Sequence, residues 1–350
     1  MRKEFEKTQL SRRLRSVKHR TLEVFGSEIR NRRRKWTVQV KQPLLIISEV
    51  QRSGGTLLSQ LFDNHPQCLN HPEELCWGRP QKWNWPNLEL SSSPCAPTEL
   101  FNKLHEPWID AYGGAGFYRK KPGYQTRYPF LFDLTLQRQL FREIIKTHQI
   151  ESQRDVLDAY LTSFFSAWLD YGNLYGEDKR FVTCFTPRLI VETPIENIFN
   201  DYPDGYVVSL VRNPLDWFSS AQGHAFFRNV KSVDALLQYW IDSTNAAVDA
   251  HKQFESRVIV GSFESLVNQT DVAMRKLCRW LGISYTDSLL VPSFNGIPIR
   301  SNSNFKSVYG IDKSVVRRRE RAKTLDDNLV EEINKLTCDA WQSAQSCFGF

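Results

Sequence analysis

No stretch of this sequence approaches eighteen consecutive apolar residues, so no transmembrane helix is expected. The N-terminus lacks the apolar core of a secretory signal, which points to the cytoplasm. Cysteine is scarce and odd in number: Cys68, Cys76, Cys95, Cys184, Cys278, Cys338 and Cys347, with no C-x-x-C pair. Reduced thiols are therefore expected, and a metal site is not. No internal repeat is visible. The sequon Asn268-Gln269-Thr270 reads as a chance match in a cytosolic chain.

Net charge is nearly absent from most of the chain. Residues 1–35 carry 13 Lys or Arg against 4 Glu, a net of +9; the total is +7, so the remainder stands near −2. That remainder supplies no basic face, and no nucleic-acid partner is expected. In the basic segment Leu10, Leu14, Val17, Phe25 and Ile29 recur at roughly helical spacing, which suggests an amphipathic helix. Two readings stay open for residues 1–35: a helix packed on the domain with its charges solvated, or one that meets an anionic membrane surface or an acidic partner. Glu4, Glu6, Glu23 and Glu28 count against an organelle transit peptide. The run Arg317-Arg318-Arg319-Glu320-Arg321 reads as a solvated helix face.

With 350 residues, 41% hydrophobic and 13% aromatic, the chain can bury one large core or two smaller ones. Apolar runs at about 43–50, 206–211 and 257–262 read as buried strands separated by helical patterns, the signature of a parallel α/β sheet. Helical stripes lie in 153–170 (Val156, Leu157, Tyr160, Leu161, Phe164, Trp168, Leu169) and in 232–254 (Val233, Leu236, Leu237, Trp240, Ile241, Val248, Phe254). Both are expected in the core. Residues 264–281 predict one further helix, closed by Gly282.

Between residues 76 and 128 periodicity fades. Trp77, Trp83, Trp85, Trp108, Tyr112, Phe117, Tyr118, Tyr124 and Tyr128 lie there among Pro and Gly. The stretch is read as an irregular insertion within a domain spanning 36–350. It either shapes an acceptor pocket or lid, or is a loop pinned by its own aromatics.

The residues after the first strand say most. Leu44 to Val50 run into Gln51-Arg52-Ser53-Gly54-Gly55-Thr56, and a helix-competent apolar segment begins at Leu57. Strand, glycine loop and helix N-terminus can together cradle an anion with backbone N–H groups and the helix dipole. A nucleotide-triphosphate loop would read G-x-x-x-x-G-K-[ST]. Here Arg52 precedes the glycines and no lysine follows them. A tight Gly-Gly turn without a ligand is the plain alternative. The strand at 206–211 ends in Arg212-Asn213-Pro214, with Ser220 eight residues after the arginine. Later, Phe294 to Phe305 forms an Asn/Ser-rich loop.

These three segments resemble the donor site of sulfotransferases that use 3′-phosphoadenosine-5′-phosphosulfate (PAPS). The resemblance runs from about residue 43 to the closing Phe350. It implies a three-layer α/β fold with a central parallel sheet, a P-loop-like phosphosulfate loop and helices on both faces. PAPS would be the donor, PAP the product, and no metal is needed. Arg52, Ser53, Gly54, Gly55, Thr56 and Leu57 would hold the 5′-phosphosulfate. Arg212 and Ser220 would hold the 3′-phosphate, with Ser301, Asn302, Ser303 and Phe305 closing over it. The acceptor implied is a hydroxyl of a carbohydrate, lipid or other small molecule.

Sulfuryl transfer also requires a cation for the leaving oxygen and a base for the hydroxyl proton. Arg52 is the expected cation. Carbohydrate and tyrosylprotein sulfotransferases show a His-Pro followed by a basic Glu, similar to His65-Pro66 and the later His71-Pro72-Glu73-Glu74. Glu74 is the first expected base and Glu73 the second, with His71 or His65 as histidine alternatives. Three positions depart from the pattern. Phe263 stands where relatives commonly have Tyr, Phe185 stands where many have Lys, and His224 follows Ser220. Either Arg188 reaches the sulfate in place of that Lys, or Arg52 and a Ser donor suffice. A P-loop kinase-like phosphotransferase and a non-catalytic PAP/PAPS-binding scaffold are the alternatives.

Overall fold

A computed structural model describes residues 26–35, 37–78, 80–90, 96–112, 128–300, 308–316 and 325–350. Five strands, β1 (Leu44–Ile47), β2 (Cys68–Glu74), β3 (Phe181–Phe185), β4 (Tyr206–Val211) and β5 (Val258–Ser262), form one sheet in the order β2-β3-β1-β4-β5. Every pairing in it is parallel. β1 is central, with Ile46 opposite Cys184 on one side and Val207 on the other. Two buried faces explain its unbroken apolar run.

The strand period of two splits the core into layers. Leu45, Ile47, Val208 and Leu210 face the helices α2 (Gly55–Phe62), α11 (Phe263–Asn268) and α12 (Thr270–Leu281). Leu44, Ile46, Val207 and Val211 face the other layer. That layer includes α5 (Leu134–Thr147), α6 (Gln153–Ala167), α7 (Leu189–Glu192), α8 (Ile195–Asp201), α9 (Pro214–Ala221), α10 (Val233–Gln253) and α13 (Asp327–Ser346). The fold is thus an α/β sandwich with helices on both faces of a parallel sheet. The closing residues extend it: Gly349 N–H donates to the Val260 carbonyl and Ser262 N–H to that of Phe350.

The two expected helical stripes are α6 and α10. The segment 264–281 is not one helix but two, α11 and α12, which meet at Gln269. The Thr270 hydroxyl donates to the Leu266 carbonyl at the break. Gly282 closes α12 in the left-handed region, at φ 67°.

β2 and β3 were not among the expected strands. β2 carries Pro72 and two glutamates, features that read as a loop. It is tolerated because β2 is an edge strand, where a missing N–H costs no ladder bond, and its register shifts between Asn70 and Glu74.

Part of the 76–128 segment is ordinary core. Trp77 and Tyr128 are buried, and Trp85 and Trp108 pack against the same cluster. Two helices, α3 (Pro97–Leu104) and α4 (Pro107–Tyr112), lie within it. Phe117, Tyr118 and Tyr124 fall outside the described residues, as do 1–25, 301–307 and the run 317–321.

Residues 26–35 form a helix, α1, that packs on the domain. Arg30 pairs with Asp133 at 3.0 Å, Arg33 donates to the Leu169 carbonyl at 2.6 Å, and Arg34 pairs with Glu143. Partly exposed pairs of this kind contribute about 0.2–1 kcal/mol each. Deleting residues 26–35 along with the preceding 25 should therefore lower Tm by a few degrees relative to deleting 1–25 alone. Differential scanning calorimetry of the two truncations checks this; equal Tm values would mean that the contacts contribute nothing.

Candidate functional site

In an open parallel sheet, ligands gather beyond the carboxyl ends of the strands, where neighbouring crossovers leave in opposite directions. β1 and β4 are such neighbours: the chain leaves β1 toward β2 and leaves β4 toward β5. A cavity opens there, lined by Glu49, Arg52, Gly54, Gly55, Thr56, Leu57, Phe185, Arg212, Ser220, Phe263 and Asp312, among others.

The loop after β1 is forced into shape by its own backbone. Arg52 and Gly54 both have positive φ, 78° and 111°. That reverses the chain and starts α2 at Gly55, where the N-cap Gly54 has no side chain to cap the helix and the Gly55 amide donates to the Glu49 carboxyl. Gly55, Thr56 and Leu57 bring the positive end of the helix dipole to the cavity wall. A Cβ at Gly54 would collide with the Phe263 ring, and one at Gly55 with the Glu49 carboxyl. Glycine is required at both positions by space, and at Gly54 by conformation as well.

The two arginines meet in this turn. Arg212, 4% exposed, donates from Nη1 to the Arg52 carbonyl at 3.0 Å, and its guanidinium lies over the Phe263 ring at 4.6 Å. Arg52 donates from Nε to the Ser220 hydroxyl at 3.0 Å. Burial draws the Arg52 pKa below its ordinary value. The structure thus brings Arg52, Gly54, Gly55, Thr56, Leu57, Arg212 and Ser220 onto one cavity wall, while Ser53 is buried beneath it.

Glu73 and Glu74 lie at the carboxyl end of β2. Glu74 is opposite Phe185, itself on the cavity wall, and accepts from Lys82 Nζ at 2.6 Å. His71 sits on the interior side of β2, 0% exposed. Its Nδ1 donates to the Glu73 carbonyl at 2.8 Å and its Nε2 to Glu106 Oε2 at 2.9 Å. Two acceptors favour two N–H groups on the ring, which is the imidazolium form. Burial alone would push its pKa down, but the Glu106 charge and these hydrogen bonds hold it above the ordinary value.

His65 lies before β2, at the amino end of the strands and away from the cavity. There its Nδ1 accepts from Gln67 N–H and its Nε2 donates to the Ser284 carbonyl at 2.7 Å. Arg188 is bound to Glu192 at 2.5 Å and rests over Phe226 and Tyr239, away from the cavity lining. His224 caps a short helix through Phe226 N–H.

The loop beginning at Phe294 opens with a hairpin whose Asn295 and Gly296 both have positive φ. Buried Asp63, at the end of α2, accepts from Ser293 Oγ, Asn295 N–H and Gly296 N–H at 2.8–3.1 Å. Ser301, Asn302, Ser303 and Phe305 lie outside the described residues. Among the described residues no His/Cys/Asp/Glu cluster could hold a metal, and no helix is long and apolar enough to cross a membrane.

Sequence reasoning missed Glu49, Asp312, Lys82 and the His71–Glu106 pair. For Glu49 a signal was present: Leu45, Ile47 and Glu49 share one strand face, and an acid on a buried face beside an anion loop is anomalous.

The family model described as "Sulfotransferase family" matches residues 43–287. The chain belongs to the sulfotransferase family. A sulfotransferase activity with PAPS as donor is the family-level function. No curated protein sequence gave a significant match. Among solved structures, the sulfotransferase domain from the curacin biosynthetic pathway is 15% identical with a TM-score of 0.49, covering 85% of this chain and 97% of that one. The sulfotransferase domain of the Synechococcus PCC 7002 olefin synthase is 17% identical, with a TM-score of 0.43 and coverages of 89% and 96%. A sulfotransferase from Alicyclobacillus acidocaldarius is 14% identical, with a TM-score of 0.44 and coverages of 88% and 96%. These likenesses are too distant to add weight to the family match.

The His71 pair makes a pH-dependent contribution to the fold. Its folded pKa lies above the unfolded value of about 6.5, so the stabilisation is complete below that pH and is lost as pH rises through the folded value. His71→Leu should cost roughly 3–5 kcal/mol at pH 6, and less toward pH 9. Thermal melts of both proteins across that range check the trend; a gap independent of pH would contradict it.

Proposed function

We propose that this chain transfers the sulfuryl group of PAPS to a hydroxyl of a carbohydrate, lipid or other small acceptor. The observation that carries this reading is the meeting of Arg52, Arg212 and the N-terminus of α2 on one cavity. Fixed guanidinium groups and a helix N-terminus suit two phosphate-type anions. The missing Cβ atoms at Gly54 and Gly55 let such groups approach the backbone. Bound there, PAPS supplies an activated sulfuryl group with a phosphate as its leaving group.

Each residue then has a distinct task. Arg52 and the first-turn amides of α2 hold the 5′ end and meet charge on the leaving oxygen. Ser220, whose oxygen takes the Arg52 Nε–H at 3.0 Å, joins Arg212 in reading the 3′-phosphate. Glu74 takes the acceptor proton, on the side of the sulfuryl group opposite the leaving oxygen. Lys82 holds Glu74 in place, and His71 fixes the backbone at Glu73. In this reading His71 is a positioning residue: both its ring nitrogens are engaged, and it is fully buried.

Two measurements test the proposal. Radiolabelled PAPS incubated with pools of hydroxyl-bearing acceptors should yield a labelled product, and Glu74→Gln should reduce its formation about 10²–10⁴-fold while PAP binds normally. Full activity in that variant would move the base elsewhere. Calorimetry on Arg212→Ala should show PAP binding weakened by about 1.5–3 kcal/mol, with a smaller loss for adenosine 5′-phosphosulfate, which has no 3′-phosphate. Equal losses for both ligands would remove Arg212 from the 3′ subsite.

A further inference from the structure

Glu49 is a carboxyl inside an anion site. It is 1% exposed and lies on the wall of the cavity that holds Arg52 and Arg212. The Gly55 amide at the start of α2 is its hydrogen-bond donor, and its Oε1 fills the space a Cβ at Gly55 would need. Its Oε2 has no hydrogen-bond partner among the described residues. An orphaned buried carboxylate oxygen is costly, and an anion arriving beside it would add repulsion. A proton on that oxygen removes both penalties.

We propose that Glu49 enters the donor complex as a carboxylic acid, with the Gly55 amide kept on its carboxyl and the proton on the orphaned Oε2, so that no negative charge stands beside the phosphate or sulfuryl oxygens in the loop. This rests on the PAPS-binding reading above. Donor binding is then coupled to a proton. The charged groups that share the cavity with Glu49 are Arg52 in its own loop, Arg212 after β4 and Asp312; Glu74 at the end of β2, tied to Lys82, also acts on its carboxyl. Burial raises the Glu49 pKa well above the carboxylate range, and Glu74 adds to the rise against the Gly55 amide. A bound anion raises it further. Affinity is therefore complete while Glu49 is protonated in the free protein, and it falls as pH rises through the free-protein pKa.

The test is PAP binding by titration calorimetry from pH 6 to pH 9, in buffers of different ionisation enthalpy. PAP phosphates, with a second pKa of about 6, stop taking up protons in the upper part of this range. The wild-type protein should bind PAP progressively more weakly there, by about tenfold per pH unit at most, with net proton uptake. Glu49→Gln keeps the shape and carries no charge, so it should bind PAP with a flat affinity and no uptake over the same interval. Glu49→Asp, which keeps the acid but shortens its reach, should restore proton uptake with weaker binding. Identical pH profiles for wild type and Glu49→Gln would overturn the proposal and leave the PAPS-binding reading standing. Failure of PAP to bind either protein at any pH would instead overturn that reading, and this proposal with it. Circular dichroism of each variant confirms that the comparison is between folded proteins.

Discussion

The turn from β1 into α2 is the constraint on which the rest depends. Two left-handed residues within three positions, one of them an arginine, swing the helix start over the sheet's carboxyl edge. A non-glycine residue in that region costs of order 1–3 kcal/mol and persists only where its surroundings over-determine it. Here they do. Trp217 Nε1 donates to the Gln51 carbonyl at 2.8 Å, Ser243 Oγ accepts the Val50 N–H at 2.9 Å, and Arg212 takes the Arg52 carbonyl at 3.0 Å. These partners come from α9, α10 and the end of β4, so helices remote in sequence hold the strained loop open. Release any of them and the amides of α2 lose their direction.

Much of this was legible in the chain. Strands buried on both faces read as apolar runs, so β1, β4 and β5 declared themselves, and the glycine loop with Arg52 suggested an anion. An arginine ending a strand is usually a solvated charge, so Arg212 and Ser220 stood out only through their resemblance to a phosphate site; in the structure Arg212 is buried. β2 was hidden for a physical reason: at the sheet's edge Pro72 and two glutamates carry little penalty, so its pattern was that of a loop. The break at Gln269 depends on tertiary packing and has no strong local marker. His71 was a plausible base on paper; only the structure reveals Glu106, thirty-five positions away, as its partner.

The cavity's wall explains how these parts act together. Phe185, Phe263, Val267 and Leu57 make it largely apolar around a few charges. An apolar wall strengthens each remaining electrostatic contact. Phe263 contributes twice, since its ring supports the Arg212 guanidinium and leaves no room for a side chain at position 54. A tyrosine hydroxyl is not needed for either effect. The same apolar setting acts on both signs of charge: it makes Arg52 and Arg212 effective toward an anion, and it makes an ionised Glu49 unfavourable. The neutral Glu49 and the anion-binding arginines proposed above would thus have one physical cause, and a protonated carboxyl in the loop would not oppose negative charge.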